Sequence, residues 1–199
     1  MYFCIVRFAR PCLMPILDFL RNELQLSEDI IRTVSPHIKH TEFKKKEVIL
    51  DPDHKTNNIH FIESGIVRSF YRTEAKEITL AFVEENEICI TINSIFFDKP
   101  SRFGIQAITP TKMATLDYTI WEQIIAAKPE LLAINQHFFV KNIKNYIDYI
   151  ELINCKSPSE RYQILIDSNP AIFNKVPLGY IASYLGITQE TLSRLRKKV

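Results

Sequence analysis

The residues in this sequence whose types and spacing suit a definite chemistry lie near the C-terminus, between Thr188 and Lys198. In a helix that follows Thr188, the outward side chains of the first two turns are Gln189, Glu190, Ser193 and Arg194. Arginine can donate two hydrogen bonds to guanine, glutamate can accept from the cytosine amino group, and glutamine can pair with adenine. The side chains better suited to phosphate oxygens are Thr188, Thr191, Lys197 and Lys198. The predicted chemistry is therefore recognition of double-stranded DNA.

Two short helices that meet at Gly186 are predicted to position these side chains. Pro177 suits the opening of the first helix, and Gly186 suits its end because a helix terminus favours positive φ there. The hydroxyl of Thr188 can cap the second helix by accepting from a backbone N–H two or three residues further on. Small and apolar residues stand where the helices would pack, at Ile181, Ala182, Leu185, Ile187, Leu192 and Leu195. This combination predicts a helix-turn-helix whose second helix enters the major groove.

A long helix is predicted upstream, over residues 129–156, with Pro129 at its start. Seven residues recur along it in a heptad pattern with one polar interruption, namely Leu132, Gln136, Phe139, Ile143, Tyr146, Ile150 and Ile153. A helix of this length spans about 40 Å, and its apolar stripe needs a packing partner. We expect this stripe to form a homodimer interface, and packing against its own domain is the alternative.

The long helix separates two differently patterned regions. Between residues 44 and 118, short strand-like runs recur at roughly ten-residue spacing and predict an antiparallel sandwich or barrel. After the long helix, Ser157, Pro158 and Glu160 form a strong helix start. We therefore expect a sensor barrel over residues 14–128, a dimerisation helix over 129–156 and a DNA-binding domain over 157–199. Residues 1–13 differ in character and are expected to be a non-native or flexible extension, with an arm packed on the barrel as the alternative.

Charge and cysteine usage agree with a cytoplasmic DNA-binding protein. The net charge is only +2, but residues 157–199 carry six Lys and Arg against three acidic residues, an excess of +3 at one end. The four cysteines are scattered and contain no CxxC motif, which favours reduced thiols over a disulfide framework. The apolar start is too short to cross a bilayer, so no membrane association is expected.

The order of these elements resembles the Crp/Fnr family of bacterial transcription regulators, over about residues 14–199. The likeness is strongest to short members common in Bacteroidetes-type genomes, and it is carried by residues 62–68, 75–79, 159–162 and 176–199. It implies an α+β fold with an N-terminal antiparallel jelly-roll β-barrel, a long dimerisation helix and a small C-terminal winged helix-turn-helix domain. It also implies a homodimer that binds two DNA half-sites about one helical turn apart, with RNA polymerase as a further candidate partner.

The sequence departs from the cyclic-nucleotide-binding members of that family. Those members carry a Gly-Glu pair in a short helix and then an Arg-Ser or Arg-Thr pair, whereas this chain has no glycine between Gly65 and Gly104. The matching positions, which we take as candidate effector-binding residues, are Glu87, Ile88, Cys89, Thr91, Ser101 and Arg102. Because a phosphate would lack the close backbone approach that glycine allows, cAMP is not expected to bind. The effector is an unidentified small molecule, or there is none, and no other cofactor is expected.

Two other classes of function compete with a DNA-binding regulator. One is a sensor module that binds an effector and acts through protein partners without touching DNA. The other is a cupin-like metal enzyme, although no His-x-His pair lies on a predicted strand. The sequence contains four glycines, which excludes glycine-rich phosphate loops. We therefore expect neither catalytic residues nor a metal site.

Overall fold

The computed structural model describes residues 3–6, as backbone only, and residues 15–197. Its strands form two antiparallel sheets with the orders β1-β7-β4-β9-β2 and β3-β8-β5-β6. The strands are β1 (Phe3–Val6), β2 (Lys39–Phe43), β3 (Val48–Leu50), β4 (Asn58–Ser64), β5 (Val67–Arg72), β6 (Glu77–Val83), β7 (Ile88–Thr91), β8 (Phe103–Ala107) and β9 (Thr111–Asp117). The mixed α and β content and the antiparallel sheets confirm the predicted fold class at this level.

The helices flank the sheets and continue beyond them. They are α1 (Ile16–Asn22), α2 (Glu28–Val34), α3 (Ile92–Phe97), α4 (Tyr118–Ala127), α5 (Leu131–Cys155), α6 (Pro158–Ser168), α7 (Ile172–Lys175), α8 (Leu178–Tyr184) and α9 (Gln189–Arg196), with one 3-10 turn at Ser35–His37. The predicted capping box at the start of α6 is present, because Ser157 and Glu160 each hydrogen-bond the other's backbone N–H. In the part of the chain that the structure describes, no helix is long and apolar enough to cross a membrane.

Successive residues of the central strands supply two separate apolar cores. On β4, Ile62 belongs to a cluster that joins both sheets and includes Val67, Ile105 and Met113. Its neighbour Phe61 belongs to a second cluster, which α1, α2, α4 and the start of α5 cover. This division follows from the two-residue period of a strand, since adjacent side chains point to opposite faces. The central strands of the first sheet are therefore buried on both faces.

The turn between β4 and β5 requires glycine. Gly65 has φ +96°, and a side chain there would come within 2.5 Å of the carbonyl oxygen of Pro110. Its backbone N–H donates to Glu85 Oε1 at 3.1 Å. The tight turn places β5 directly after β4, so the chain passes from the first sheet to the second without a long loop.

Two features differ from the sequence-based expectation. The predicted wing is absent from residues 157–197, because α6, α7, α8 and α9 occupy this segment and no strand is described in it. Of the predicted extension at residues 1–13, the structure describes only β1, which pairs with β7 in register Phe3 to Thr91. That pairing corresponds to the packed-arm alternative for these four residues. Residues 1–2 and 7–13 lie outside the described residues.

A buried histidine makes the stability of this fold depend on pH. Burial lowers the pKa of His60 on β4 to about 4, and its ring Nδ1 lies 3.2 Å from Thr115 Oγ1. In the unfolded chain the imidazole of His60 binds a proton below about pH 6.5, whereas in the folded chain it does so only below about pH 4. The folded state is therefore most stable, with respect to this group, above about pH 6.5, and it loses stability as the pH falls from 6.5 to 4. The free energy of unfolding should fall by roughly 2 to 3 kcal/mol between pH 7 and pH 4.5 through this group.

Urea denaturation of the wild type and of His60→Gln at both pH values measures this effect. The variant lacks the titrating ring, so its loss of stability between the two pH values should be smaller than that of the wild type. Equal losses would show that burial of His60 does not set the acid sensitivity.

Candidate functional site

The two predicted C-terminal helices are α8 and α9, and they meet at a sharp turn. Gly186 has φ +65° in this turn, as its predicted role at a helix end requires. The hydroxyl of Thr188 accepts from the backbone N–H of Thr191 at 3.2 Å, which confirms the predicted cap of α9. Residues of the predicted packing set are fully buried between the helices, among them Ile181, Leu185 and Leu192.

The outward face of α9 carries the predicted DNA-contacting side chains. Those that are exposed are Thr188, Gln189, Glu190, Ser193, Arg194 and Lys197. Thr191 is half-buried, and its hydroxyl accepts from Arg194 Nη2 at 3.3 Å. Lys198 lies outside the described residues. The structure thus brings the described members of the set onto one helix and its cap.

The charge state of Glu190 follows from the start of its helix. The backbone N–H of Glu190 itself and then the hydroxyl of Thr188 hydrogen-bond the carboxylate, and they hold the pKa of Glu190 below its ordinary value. The carboxylate therefore remains ionised at neutral pH and acts only as an acceptor. A helix N-terminus also favours a negative side chain at this position.

Gly179 supports the position of Gln189, a role that the sequence did not reveal. A side chain at Gly179 would clash with the amide nitrogen of Gln189, so the glutamine side chain lies across the start of α8. The amide end of Gln189 therefore lies beside the first helix of the pair. The sequence signal was the lone glycine after Pro177, which stands near the first turn of a helix where it has no capping role.

Arg161 joins the turn between α8 and α9 to the long helix. Its guanidinium donates to the backbone carbonyl of Leu185 at 3.0 Å, of Ile153 at 2.6 Å and of Lys156 at 2.9 Å. Carbonyl groups at helix ends lack partners within the helix, and a planar guanidinium can satisfy several of them together. This one side chain therefore couples the end of α5 to the helix pair.

Arg68 connects the helix pair, α8 and α9, to the second sheet. This residue is only 1% exposed, and its guanidinium lies 3.9 Å from the centre of the Tyr180 ring on α8. It donates to a carboxylate oxygen of Glu77 and to Gln106 Oε1, the latter at 2.8 Å. On the same surface the backbone N–H of Thr79 donates to the hydroxyl of a residue of α8, Ser183, at 2.9 Å.

Aromatic side chains also pack between the second sheet, α5 and α8. Phe82 on β6 lies 5.4 Å from Tyr184, ring centre to ring centre, and Tyr149 on α5 stacks on Tyr184 at 5.3 Å. The hydroxyl of Tyr149 also donates to the backbone carbonyl of Tyr184 at 3.3 Å. The end of α8 is therefore held between β6 and α5.

The candidate effector-binding residues do not come together in one pocket. Ile88 and Cys89 belong to different apolar clusters on opposite faces of β7, and burial raises the pKa of the Cys89 thiol, which stays protonated. The carboxylate of Glu87 accepts from the backbone N–H of Glu84 at 2.7 Å and so closes a turn. These three residues serve the core and the turn before β7, because adjacent residues of a strand face opposite sides.

The other three candidates also differ in their surroundings. Thr91 is buried at the end of β7, and its hydroxyl has no hydrogen-bond partner among the described residues. The Ser101 hydroxyl donates to the backbone carbonyl of Phe103 at 2.8 Å. Arg102 is exposed and donates to the hydroxyl of Tyr71 at 2.8 Å. The role of these six residues in binding an effector stays a prediction.

Two cavities stand out in the described part of the chain, and the candidate effector residue Ile88 lies in the wall of one of them. One, of about 390 Å³, is almost entirely apolar and lies between the first sheet and the helices that cover it, with Phe61, Ile88 and Trp121 in its wall. The other, of about 590 Å³, lies among β6, α5, α6 and α8. Among residues 15–197 and the β1 backbone, no group of three or more His, Cys, Asp or Glu residues is placed to hold a metal ion.

The long helix exposes most, but not all, of its predicted apolar stripe. Leu132, Ile143, Tyr146 and Ile150 of the predicted set are exposed large hydrophobic residues, and Gln136 is exposed beside them. Phe139 instead packs on Phe96 at 5.5 Å between ring centres, and Ile153 is half-buried close to Gly186.

Two exposed residues of this helix, Val140 and Ile147, were missed by the sequence pattern. Together with Ile143 and Ile150 they form a line that repeats every three or four residues. The exposed apolar residues of this helix therefore include four of the predicted set, Leu132, Ile143, Tyr146 and Ile150, and two that the pattern missed.

Comparison with known proteins agrees with this architecture. Residues 40–128 match the family model of the cyclic nucleotide-binding domain. A regulator of the Crp/Fnr family from Eubacterium rectale has 18% sequence identity and a TM-score of 0.71, over 92% of this chain and 87% of that one. FixK2 from Bradyrhizobium japonicum has 18% identity and a TM-score of 0.69, over 81% of this chain and 83% of that one.

A third solved structure is the c-di-GMP-responsive global regulator CLP from Xanthomonas campestris, with 14% identity and a TM-score of 0.68, over 86% of this chain and 91% of that one. No curated protein sequence matches the chain. Residues 40–128 thus form a cyclic nucleotide-binding-type domain, and the chain has the fold of the Crp/Fnr regulators. The resemblance predicted from the sequence is confirmed.

The buried guanidinium of Arg68 should contribute strongly to stability. Arg68→Met keeps much of the apolar stem but removes the charge that Glu77, Gln106 and Tyr180 surround, and it should lower the free energy of unfolding by about 2–4 kcal/mol. The matched control is Arg72→Met on the same strand, which loses ion pairs to Asp51 and Glu77 and a contact with the Phe70 ring at 5.5 Å, and should cost about 1 kcal/mol. Urea denaturation measures both, and equal losses would contradict the role assigned to Arg68.

Proposed function

We propose that this chain is a dimeric, sequence-specific DNA-binding transcription regulator. The observation that carries the proposal is α9, whose buried face is held by α8 while its outward face exposes Gln189, Glu190, Ser193 and Arg194. A helix presented in this way can enter the major groove as the second helix of a helix-turn-helix. The fold shared with the Crp/Fnr regulators supports the proposal.

In this proposal the side chains of α9 divide into two groups. Gln189, Glu190, Ser193 and Arg194 hydrogen-bond base edges, because arginine, glutamate and glutamine offer distinct donor and acceptor patterns there. Thr188, Thr191, Lys197 and Lys198 contact phosphates and set the orientation of the helix on the duplex. The exposed, ionised carboxylate of Glu190 suits a cytosine amino group, since it can only accept hydrogen bonds.

We infer that the dimer forms through the exposed apolar line of α5, namely Val140, Ile143, Ile147 and Ile150, with Leu132, Gln136 and Tyr146 beside it. Four large apolar side chains on one helix face are costly to leave in water, and a heptad repeat suits a second copy of the same helix. Two copies of α9 would then bind half-sites about one turn, roughly 34 Å, apart. RNA polymerase remains a candidate further partner.

In this proposal, three consecutive segments of the chain each have one function. Residues 14–128 would form the sensor domain, residues 129–156 the dimerisation helix and residues 157–199 the DNA-binding domain, acting together in the cytoplasm. We propose that a small effector other than cAMP controls the protein, or that none does. The exposed position of Arg102, whose guanidinium donates to the hydroxyl of Tyr71, supports the exclusion of cAMP.

The alternative of a sensor that acts only through protein partners makes a different prediction about salt. Phosphate contacts release counterions, so the affinity of a DNA-binding protein falls steeply as the salt concentration rises. A duplex selected from a random library should therefore bind tightly at low salt and weaken along a linear plot of log affinity against log salt concentration. A chain that selects no duplex at low salt is not a DNA-binding regulator.

Arg194→Ala should weaken binding to the selected duplex by about 1–3 kcal/mol and relax the preference at one base pair. Lys197→Ala should weaken binding to all sequences alike and reduce the salt slope by about one. Fluorescence anisotropy on the selected duplex and on single-base-pair variants measures both effects. The control Lys39→Ala removes an exposed positive charge on β2 and should change neither quantity. Unchanged affinity in Arg194→Ala would remove this residue from the base readers.

Ile147→Glu should separate the dimer, because it places a charge in the apolar line of each α5 helix. Burying an unpaired carboxylate costs several kcal/mol, so dimer dissociation should become at least about 100-fold easier. Sedimentation at micromolar concentration should show a dimer for the wild type and a monomer for the variant. The control Val48→Glu changes an exposed apolar residue on β3 and should remain dimeric. A dimeric Ile147→Glu would place the interface elsewhere.

A further inference from the structure

The smaller cavity lies between the first sheet and the helices that cover it. Its volume is about 390 Å³, within the range of pockets that hold small organic ligands, roughly 300 to 1,000 Å³. Strands β4, β7 and β9 form its floor, with Phe61, Ile90 and Ala114 among the side chains. Helices α1 and α4 contribute Leu20 and Trp121 to the other walls, and the start of α5 closes one side. A molecule in this cavity would therefore contact the sheet and its helical cover together.

The cavity offers almost no polar chemistry. Most of the lining side chains are aliphatic or aromatic, and the hydroxyl of Thr115 is already paired with the ring of His60 at 3.2 Å. The buried side-chain polar atoms that lack a partner among the described residues all belong to residues outside this wall. An apolar cavity holds water poorly, because a water molecule there lacks the polar partners it needs, and it can bind an apolar molecule instead. Nothing in the wall therefore requires a polar occupant.

The charges at the wall favour a neutral occupant over an anion. Among the described residues that line the cavity, Glu23 is the acidic one, His137 is exposed, and there is no lysine or arginine. Glu23 is ionised at neutral pH. A charged group that leaves water needs a partner of opposite sign or several hydrogen bonds. A neutral molecule enters this cavity without that cost.

Several large apolar side chains of the wall are incompletely buried. Trp121, Phe138 and Phe139 are half-buried, and they pack against the same apolar cluster as the buried Phe61. An apolar molecule packed on them would remove more of their surface from water, which is favourable.

The size of the cavity indicates a small molecule rather than a protein segment. A helix with its side chains is about 10–12 Å in diameter and rises about 5.4 Å per turn, so a single turn fills more than the roughly 390 Å³ available here. A partner helix or a second copy of α5 would therefore not fit between the sheet and its cover.

We propose that this cavity binds a small, uncharged, apolar molecule that packs between the first sheet and Trp121. Of the six effector-binding positions expected from the sequence, only Ile88 lines it. Phe138 and Phe139 also line it, and they immediately precede Val140, the first residue of the apolar line proposed for dimerisation. The occupant would therefore touch the start of the helix on which the dimer is proposed to form. The biological meaning of this binding, control of the regulator, rests on the proposed function, whereas the binding itself is measured without DNA.

The test compares two probes that share one ring skeleton on the full chain. N-phenylnaphthylamine is neutral and apolar, whereas anilinonaphthalene sulfonate has the same rings and carries a negative charge. Trp121 is the only tryptophan of the chain and lies in the wall, so quenching of its emission reports binding without a label. The neutral probe should bind at micromolar concentration. The sulfonate should bind at least about tenfold more weakly, because no cation of the wall offsets its loss of hydration.

The variant Ala114→Leu fills the cavity from its floor. It should weaken binding of the neutral probe at least about tenfold and leave the fold as stable as the wild type, because the added methyl groups enter existing space. The matched control is Ala126→Leu, the same substitution at an exposed position of α4 outside the cavity wall, and it should bind the probe as the wild type does. The comparison of the two probes on the wild type needs no variant, so it stands even if Ala114→Leu folds poorly.

Each of several results would overturn the proposal. They are no binding of the neutral probe up to its solubility limit, equal affinity for the two probes, and equal affinity of Ala114→Leu and Ala126→Leu for the neutral probe. Binding that is lost as the protein is concentrated would also overturn it, since a second copy of the chain would then cover the cavity.

The same preparation separates this inference from the proposed function. A chain that binds its selected duplex but not the neutral probe remains a DNA-binding regulator with a different effector site. A chain that binds the neutral probe with the predicted preference but selects no duplex retains the apolar site and loses the regulator assignment.

Discussion

A guanidinium can be buried only where hydrogen-bond acceptors and aromatic rings replace its hydration shell. Because Arg68 is buried, the elements around it must supply these groups. The required partners come from β6, β8 and α8, because Glu77, Gln106 and Tyr180 surround the group. The second sheet can bury this charge fully only with α8 docked on it. The relative position of the sheet and the helix pair is therefore tied to the stability of the domain core.

Arg161 performs a related task where the helix pair meets α5. It binds carbonyl groups at the end of α5 and in the turn before α9, so the helix proposed for dimerisation and the helix proposed for DNA binding meet at one side chain. Motion of α9 relative to the second sheet would have to break the contacts of Arg68 and Arg161. Otherwise the second sheet and α5 would have to move together with the helix pair. The cavity among β6, α5, α6 and α8 lies where those supports meet.

Local rules predicted the C-terminal half of the molecule well. The cap at Thr188 and the turn at Gly186 depend only on residues within one or two helical turns, so the local sequence was sufficient to predict them. The long helix was predicted with most of its exposed stripe, but Phe139 was placed in that stripe, whereas it turns inward to meet Phe96 on a helix far away in sequence. The surroundings of the candidate effector-binding residues could not be predicted for a similar reason, since the sheet pairing that directs Cys89 into the core cannot be seen in a single strand.

The pairing of β1 with β7 has a practical consequence for making this protein. Without residues 3–6, one edge of β7 would present unpaired N–H and C=O groups along its length. An open sheet edge is a template for a strand from another molecule, and it promotes self-association through backbone hydrogen bonds. A recombinant chain begun at Met14 would lose this cover, so the choice of start codon affects solubility as well as length.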